Sequence, residues 1–146
     1  MLDLSKRQAV GDRDPIRHWH KDRVVLLGDA AHPTLQSLAQ GACMAIEDGL
    51  CLADCIASNS DHEAAFQHYE NARAVRTARV TLESRYMWDV YHSDGVAREV
   101  YWQMLRERCE ADTFKCLAWL YDGFAFSAAE SHRGYTNMNQ IDVVIE

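Results

Sequence analysis

The sequence predicts an α/β fold, of which the part present here is mostly α-helical with one short strand buried on both faces. Four consecutive apolar residues, two of them β-branched, lie in the predicted strand at residues 23–27, which ends before Gly28 and Asp29. From residue 41 onward, apolar residues recur every three to four positions, which is typical of amphipathic helices. No linker or internal repeat divides the 146 residues, so we expect a single segment.

The composition argues against several functional classes. A net charge of −7 disfavours a nucleic-acid partner, because phosphate binding needs clustered Lys and Arg. No apolar run approaches the roughly 20 residues that span a bilayer, and the amino terminus lacks the apolar core of a signal peptide. We therefore expect a soluble, cytoplasmic chain without a transmembrane segment. The five cysteines lack paired C-x-x-C spacing, so the sequence predicts small core residues and no metal site.

The predicted strand leads into a segment that is suited to bind a ligand. Gly28 lacks a Cβ and allows a tight turn or close approach of a ligand. Asp29 places an acceptor-only carboxylate just past the carboxyl end of the strand, where open α/β sheets bind ligands. A loop over residues 28–40 follows, and Gly41 begins a helix whose free N–H groups point back to the same region. On these letters alone, Asp29 also suits a turn residue or a helix cap.

The longer string resembles a known motif. Gly28-Asp29-Ala30-Ala31-His32-Pro33, followed by Gln40-Gly41 and Glu47-Asp48, resembles the second flavin-contacting motif of the FAD-dependent aromatic hydroxylases, the single-component flavoprotein monooxygenases. Further matches are Asp14 to Trp19 upstream, and Tyr69-Glu70 with Arg73 and Arg76 downstream. Many members have Pro in place of Gln36 and Gly in place of Ala39. The loop is most similar to the branch that contains 3-hydroxybenzoate 6-hydroxylase, which makes gentisate with NADH.

The resemblance implies a fold, a cofactor and site roles. It implies an FAD-binding fold of the aromatic-hydroxylase type, with NADH as the reductant, a phenolic aromatic acid and O2 as substrates, and a homodimer in the full-length family. Salicylate- and hydroxynicotinate-type hydroxylases remain alternatives. The cofactor-binding residues implied are Gly28, Asp29 on the ribityl side, Ala30, Gln40, Gly41 and Ala42.

Two loop side chains have alternative interpretations. Gln36 can orient the phenol oxygen of a substrate, or it can be an exposed loop amide. His32 is a candidate base, but the family uses this position mostly for structure. The family handles the substrate's proton from residues upstream, so no catalytic residue is assigned.

One family feature is missing. The seven glycines contain no G-x-G-x-x-G pattern, and one buried strand cannot form a sheet alone. We therefore expect the amino-terminal dinucleotide-binding part to be absent and residues 1–146 to be the carboxy-terminal portion of an FAD-binding domain. Such a chain should be inactive alone and bind FAD weakly or not at all. The alternative is a non-catalytic helical remnant or an interaction domain.

Periodicity also predicts the helices. The first should cover about 41–58 and bury the apolar residues at 43, 46, 50, 53 and 57. The next should start near His62 after an N-cap segment and run to about Met87, with Arg73, Arg76 and Arg79 on an exposed stripe. Shorter helices are predicted at about 96–109 and 112–121. Residues 141–145 could be a terminal strand, and His18 and His20 a solvated pair beside a packed Trp19.

Overall fold

A computed structural model describes residues 10–121 of the chain. It contains two short strands and four helices, which are β1 (His20–Lys21), β2 (Val24–Val25), α1 (Gly41–Ser58), α2 (His62–His92), α3 (Gly95–Glu107) and α4 (Glu110–Tyr121). The chain divides into two compact units, with the boundary after Tyr91. Within residues 10–121, no helix is both long and apolar enough to cross a membrane. The predicted strand at residues 141–145 lies outside the described residues.

The predicted strand is present only as half of a small hairpin. β1 and β2 pair antiparallel, with His20 opposite Val25 and Lys21 opposite Val24. Asp22 makes the connecting turn in the left-handed region, at φ 54°. The expectation of a strand buried on both faces is wrong for the described residues, because Val24 is 67% exposed. β2 has one hydrogen-bonded neighbour there, so its second edge and much of its apolar surface stay open.

Helix α1 has the predicted bounds but buries a different face. It begins at Gly41 and ends at Ser58, in agreement with the periodicity. Its buried residues are Met44, Asp48 and Cys51, whereas Ile46 and Leu50 are 66% and 58% exposed. The prediction that the 43/46/50/53/57 face would be buried is therefore wrong. The face that packs inward is the one that carries a carboxylate to the turn after β2.

Helix α2 is the longest element of the first unit. Its first turn is capped by Asp61, whose Oδ2 accepts a hydrogen bond from the Ala64 N–H at 3.1 Å. It continues five residues beyond the predicted end, to His92, and the break comes at Gly95 with φ 52°. Its buried side includes Tyr69, Glu70 and Arg73, so charged side chains lie in the interior of this unit.

The second unit contains α3 and α4. Both helices lie close to their predicted positions. α4 buries Cys116, Trp119 and Leu120, whereas α3 has no buried residue. The cysteine prediction is correct for Cys51 and Cys116 only, since Cys43 and Cys109 are exposed and Cys55 is intermediate.

Candidate functional site

The segment after β2 forms one tight 3-10 turn at Gly28–Ala30. Gly28 adopts φ 57°, a conformation that a side chain disfavours, and a Cβ there would lie 3.1 Å from the Ala45 Cβ of α1. The Gly28 carbonyl accepts hydrogen bonds from the N–H groups of Ala31 at 2.8 Å and His32 at 2.9 Å. Asp29 points out of this turn and is exposed. Within residues 10–121 its carboxylate makes no hydrogen bond or ion pair.

The inner side of the turn is bound by the fully buried carboxylate of Asp48. Its Oδ2 accepts hydrogen bonds from the Gly28 N–H at 3.0 Å and from the His32 Nε2 at 2.5 Å, and its Oδ1 accepts one from the Arg73 Nε at 2.7 Å. Burial by itself would raise the pKa of Asp48, but the hydrogen bonds and charges of His32 and Arg73 outweigh it, so the pKa is lowered. His32 is thus a buried structural residue that holds the turn.

Arg73 joins Asp48 to a second carboxylate. It donates through Nη1 to Glu47 Oε2 at 2.7 Å, and through Nη2 to the Met44 carbonyl at 3.3 Å. Arg76 binds Glu47 with two further bonds, from Nε and Nη2, both at 2.8 Å. Burial would raise the pKa of Glu47, but the hydrogen bond from Arg76 and the charge of Arg73 lower it overall. The predicted exposed arginine stripe is therefore wrong, because Arg73 is fully buried and Arg76 is 8% exposed.

The segment that precedes β1 is tied to α2 by Glu70. One oxygen of this buried carboxylate accepts hydrogen bonds from the Trp19 N–H, from the His20 N–H at 2.8 Å and from the His20 Nδ1 at 2.7 Å. The Trp19 ring packs against the rings of His32 and Tyr69, with centroids 5.4 and 5.5 Å away. Trp19 is packed as predicted, but of the two histidines only His18 is solvated.

The rest of the loop approaches the amino terminus of α1. Residues Gln36–Leu38 form a second 3-10 turn, and Ala39 follows in the left-handed region at φ 53°. The first N–H groups of an α-helix have no intrahelical acceptor. No side chain caps those of α1 at Gln40. Because Gly28 packs against Ala45, four residues into α1, the turn lies within about 6 Å of the helix start along its axis.

The structure brings most of the predicted site residues to an accessible surface. Gly28 is buried beneath the turn, Gln40 and Gly41 are half-buried, and the exposed members are Asp29, Ala30, Gln36 and Ala42. An open carboxylate, small neighbours and free helix N–H groups are a donor and acceptor set that fits the hydroxyl-bearing chain and polar ring edge of a flavin. No sequence pattern predicts the contact between Asp48 and Arg73, although both residues belong to the strings that resemble the family.

Comparison with known proteins identifies the class. The model of the FAD binding domain family matches residues 3–84, more than half of the chain, and the chain belongs to this family. The resemblance to FAD-dependent aromatic hydroxylases is confirmed, and FAD is the cofactor of the family.

Two similar proteins are named as a hydroxylase and a monooxygenase, and a similar solved structure contains FAD. The chain is 47% identical over 125 residues to 3-hydroxybenzoate 6-hydroxylase of Polaromonas naphthalenivorans, which covers 83% of this chain and 31% of the relative. It is 51% identical over 71 residues to 6-hydroxynicotinate 3-monooxygenase of Pseudomonas fluorescens, covering 47% of this chain and 18% of that one. The crystal structure of Klebsiella pneumoniae HpxO complexed with FAD and uric acid superposes with a TM-score of 0.64 at 33% identity, covering 70% of this chain and 26% of HpxO. The chain spans about a third or less of the length of these relatives.

Proposed function

We propose that residues 23–42 form the ribityl and pyrimidine side of an FAD site in an NADH-dependent hydroxylase of a phenolic aromatic acid, of the 3-hydroxybenzoate to gentisate type. The observation that carries the proposal is the Asp29 carboxylate, which is exposed and has no partner within residues 10–121. Its turn is fixed by the Gly28 carbonyl on one side and by Asp48 on the other. A carboxylate held in place but unpaired is suited to accept hydrogen bonds from a polyol chain.

Each proposed cofactor-binding residue has a physical role at this surface. Asp29 accepts hydrogen bonds from ribityl hydroxyls, and the small Ala30 leaves room for the chain to lie against the backbone. The N–H groups of Gly41 and Ala42, with the positive end of the α1 dipole, donate to the pyrimidine edge of the ring. The side-chain amide of Gln40, the residue before Gly41, can donate or accept a further hydrogen bond. When bound, FAD supplies the hydride acceptance and oxygen activation of the reaction.

The N–H groups at the start of α1 would also stabilise the reduced form of a bound flavin. They are preorganised donors, so they would offset negative charge on its pyrimidine side without reorganisation. The absence of a side-chain cap at Gln40 leaves these donors available. Gln36, exposed on the 3-10 turn before Ala39, is proposed to orient the phenol oxygen of the substrate.

The proposal is tested in a chimera, because the chain matches about a third of its relatives' length. Residues 10–121 replace the aligned segment of the Polaromonas 3-hydroxybenzoate 6-hydroxylase, and bound FAD and gentisate formation from 3-hydroxybenzoate with NADH are measured. We expect a flavin-containing, active chimera. A folded chimera that holds no FAD would refute the proposal and favour a non-catalytic interaction domain.

The role of Asp29 is tested in the same chimera. Asp29→Ala should weaken FAD binding by about 1.5–3 kcal/mol, roughly ten- to a hundredfold, because a charged acceptor is lost. The thermal stability of the flavin-free protein should change little. The matched control is Asp54→Ala, which removes another exposed carboxylate from α1 and should leave FAD affinity unchanged. If Asp29 were only a turn residue, apo stability would fall by about 1 kcal/mol and FAD affinity would not change.

A further inference from the structure

The outer side of the Asp29 turn is held by an arginine that lies sixteen residues upstream. Arg13 Nη2 donates hydrogen bonds to the carbonyl oxygens of Ala30, at 3.1 Å, and Ala31, at 2.8 Å. These are the two carbonyls that directly follow Asp29 in the chain. Asp48 binds the same turn from the inside through the Gly28 N–H and His32. The turn is therefore held by the exposed Arg13 and by the buried Asp48, and its own carboxylate, Asp29, is exposed.

Arg13 is itself placed by an ion-paired segment. The residues on either side of it, Asp12 and Asp14, both bind Arg85 of α2, at 2.6 Å to Nε and 2.8 Å to Nη1. The hydrogen bonds that Arg85 donates to Asp12 and Asp14 raise the pKa of Arg85. The two aspartates thus contact α2 while Arg13, between them in the chain, contacts the turn.

We propose that Arg13 is a positioning residue that sets the orientation of Asp29 for the flavin, and that Arg85 places Arg13 by holding Asp12 and Asp14. The proposal rests on the proposed function, since the group being oriented is the carboxylate that binds the ribityl chain. Arg13 is exposed, so water can replace its hydrogen bonds when it is removed. Its loss should therefore loosen the turn and leave the buried interior of the unit intact.

The first measurement follows the turn in the flavin-free full chain. Amide hydrogen exchange is read by NMR at Ala31 and His32, whose N–H groups bind the Gly28 carbonyl, with the Met44 amide of α1 as an internal reference. Arg13→Met and Arg85→Met should each speed exchange at Ala31 and His32 by about three- to tenfold relative to Met44. Arg13→Lys keeps a cationic donor and should restore part of the protection. Arg17→Met removes an exposed arginine of the same segment and should behave as the wild type.

The second measurement uses FAD as the probe on the same variants placed in the chimera, because the chain alone is expected to bind FAD weakly or not at all. The dissociation constant of FAD is measured by titration with flavin fluorescence, with Asp29→Ala in parallel. We expect Arg13→Met to weaken FAD binding by about three- to tenfold and to leave the melting temperature unchanged. A contact with only a structural role would instead lower the melting temperature and leave FAD affinity unchanged. Unchanged exchange in Arg13→Met would overturn the positioning role, and unchanged exchange in Arg85→Met would overturn the anchoring by α2.

The two proposals fail in different ways. If Asp29→Ala weakens FAD binding and Arg13→Met does not, the positioning of Asp29 is refuted while the flavin site stands. If the chimera binds FAD equally well with Asp29→Ala and with Asp29, the orientation of Asp29 for a flavin is refuted. The exchange rates at Ala31 and His32 then still decide whether Arg13 holds the turn.

Discussion

Replacing Arg73 with Met tests whether the ion-pair network is part of the interior. Arg73 and Asp48 are both fully buried, and their side chains meet at 2.7 Å. Arg73→Met keeps much of the aliphatic stem but removes the hydrogen bonds to Asp48, Glu47 and the Met44 carbonyl. Asp48 would keep its donors from the turn, Gly28 and His32, and its charge would stay buried.

The expected cost follows from this geometry. Removing one partner of a buried ion pair costs about 3–5 kcal/mol, because the other charge stays desolvated. With a urea dependence of about 2 kcal/mol per molar, the unfolding midpoint should fall by roughly 1.5–2.5 M. An arginine on a solvated stripe, as the sequence pattern indicates for this position, would cost at most about 0.5 kcal/mol.

The assay is urea unfolding of residues 1–146, followed by far-ultraviolet circular dichroism. Arg79→Met is the matched control on the same helix, since Arg79 pairs with Glu83 at an i,i+4 spacing, and it should cost about 0.5 kcal/mol. If Arg73→Met and Arg79→Met shift the midpoint equally, the network does not stabilise the fold as argued.

Three further outcomes are expected. Hydrogen bonds outweigh burial and lower the pKa values of Asp48 and Glu70, so these groups take up protons in the unfolded chain before they do in the folded one. Their contribution to stability should be full above the ordinary carboxylate range near pH 4 and should fall as the pH drops further. Urea unfolding midpoints at pH 7 and pH 3.5 measure this loss. Ala39→Gly should raise the free energy of unfolding by up to about 1 kcal/mol because it relieves the positive φ, whereas Gly28→Ala should lower it by at least about 1–2 kcal/mol, and differential scanning calorimetry distinguishes the two. In the active chimera, Gln36→Leu should raise KM for 3-hydroxybenzoate while FAD affinity stays constant; equal KM values would make Gln36 an exposed loop amide.

The short-range features of the site could be predicted from the sequence because their causes lie within a few residues. Gly28 marks a turn that requires a positive φ, and the structure has one there. The start of α1 at Gly41 and the Asp61 cap of α2 follow from the change in periodicity and from cap chemistry. These signals need no knowledge of what lies across the fold. For the same reason, they predict the Asp29 turn without reference to any long-range contact.

The burial of charged residues could not be predicted in this way. On α1, two stripes repeat at helical spacing, and the pattern predicts that the one with more apolar residues faces inward. The inner stripe carries Asp48, whose three donors come from residues that are 16 to 25 positions away in the chain. Periodicity ranks faces by apolar content alone, so a charge that is neutralised by a distant partner is counted as solvated. The prediction that Arg73 is exposed is wrong for the same reason.

The buried charges have a function that an apolar interior could not provide. Apolar packing is non-directional, so it can fill the space between α1 and the turn but cannot fix the direction of an N–H group. Asp48 accepts from Gly28 at one end of the turn and from His32 at the other, and Arg73 and His32 offset the desolvation of its charge. Arg13 binds the carbonyls between these ends from outside. The Gly28 N–H and the carbonyls of Gly28, Ala30 and Ala31 are thus bound within the protein, whereas the Asp29 carboxylate remains open for a ligand.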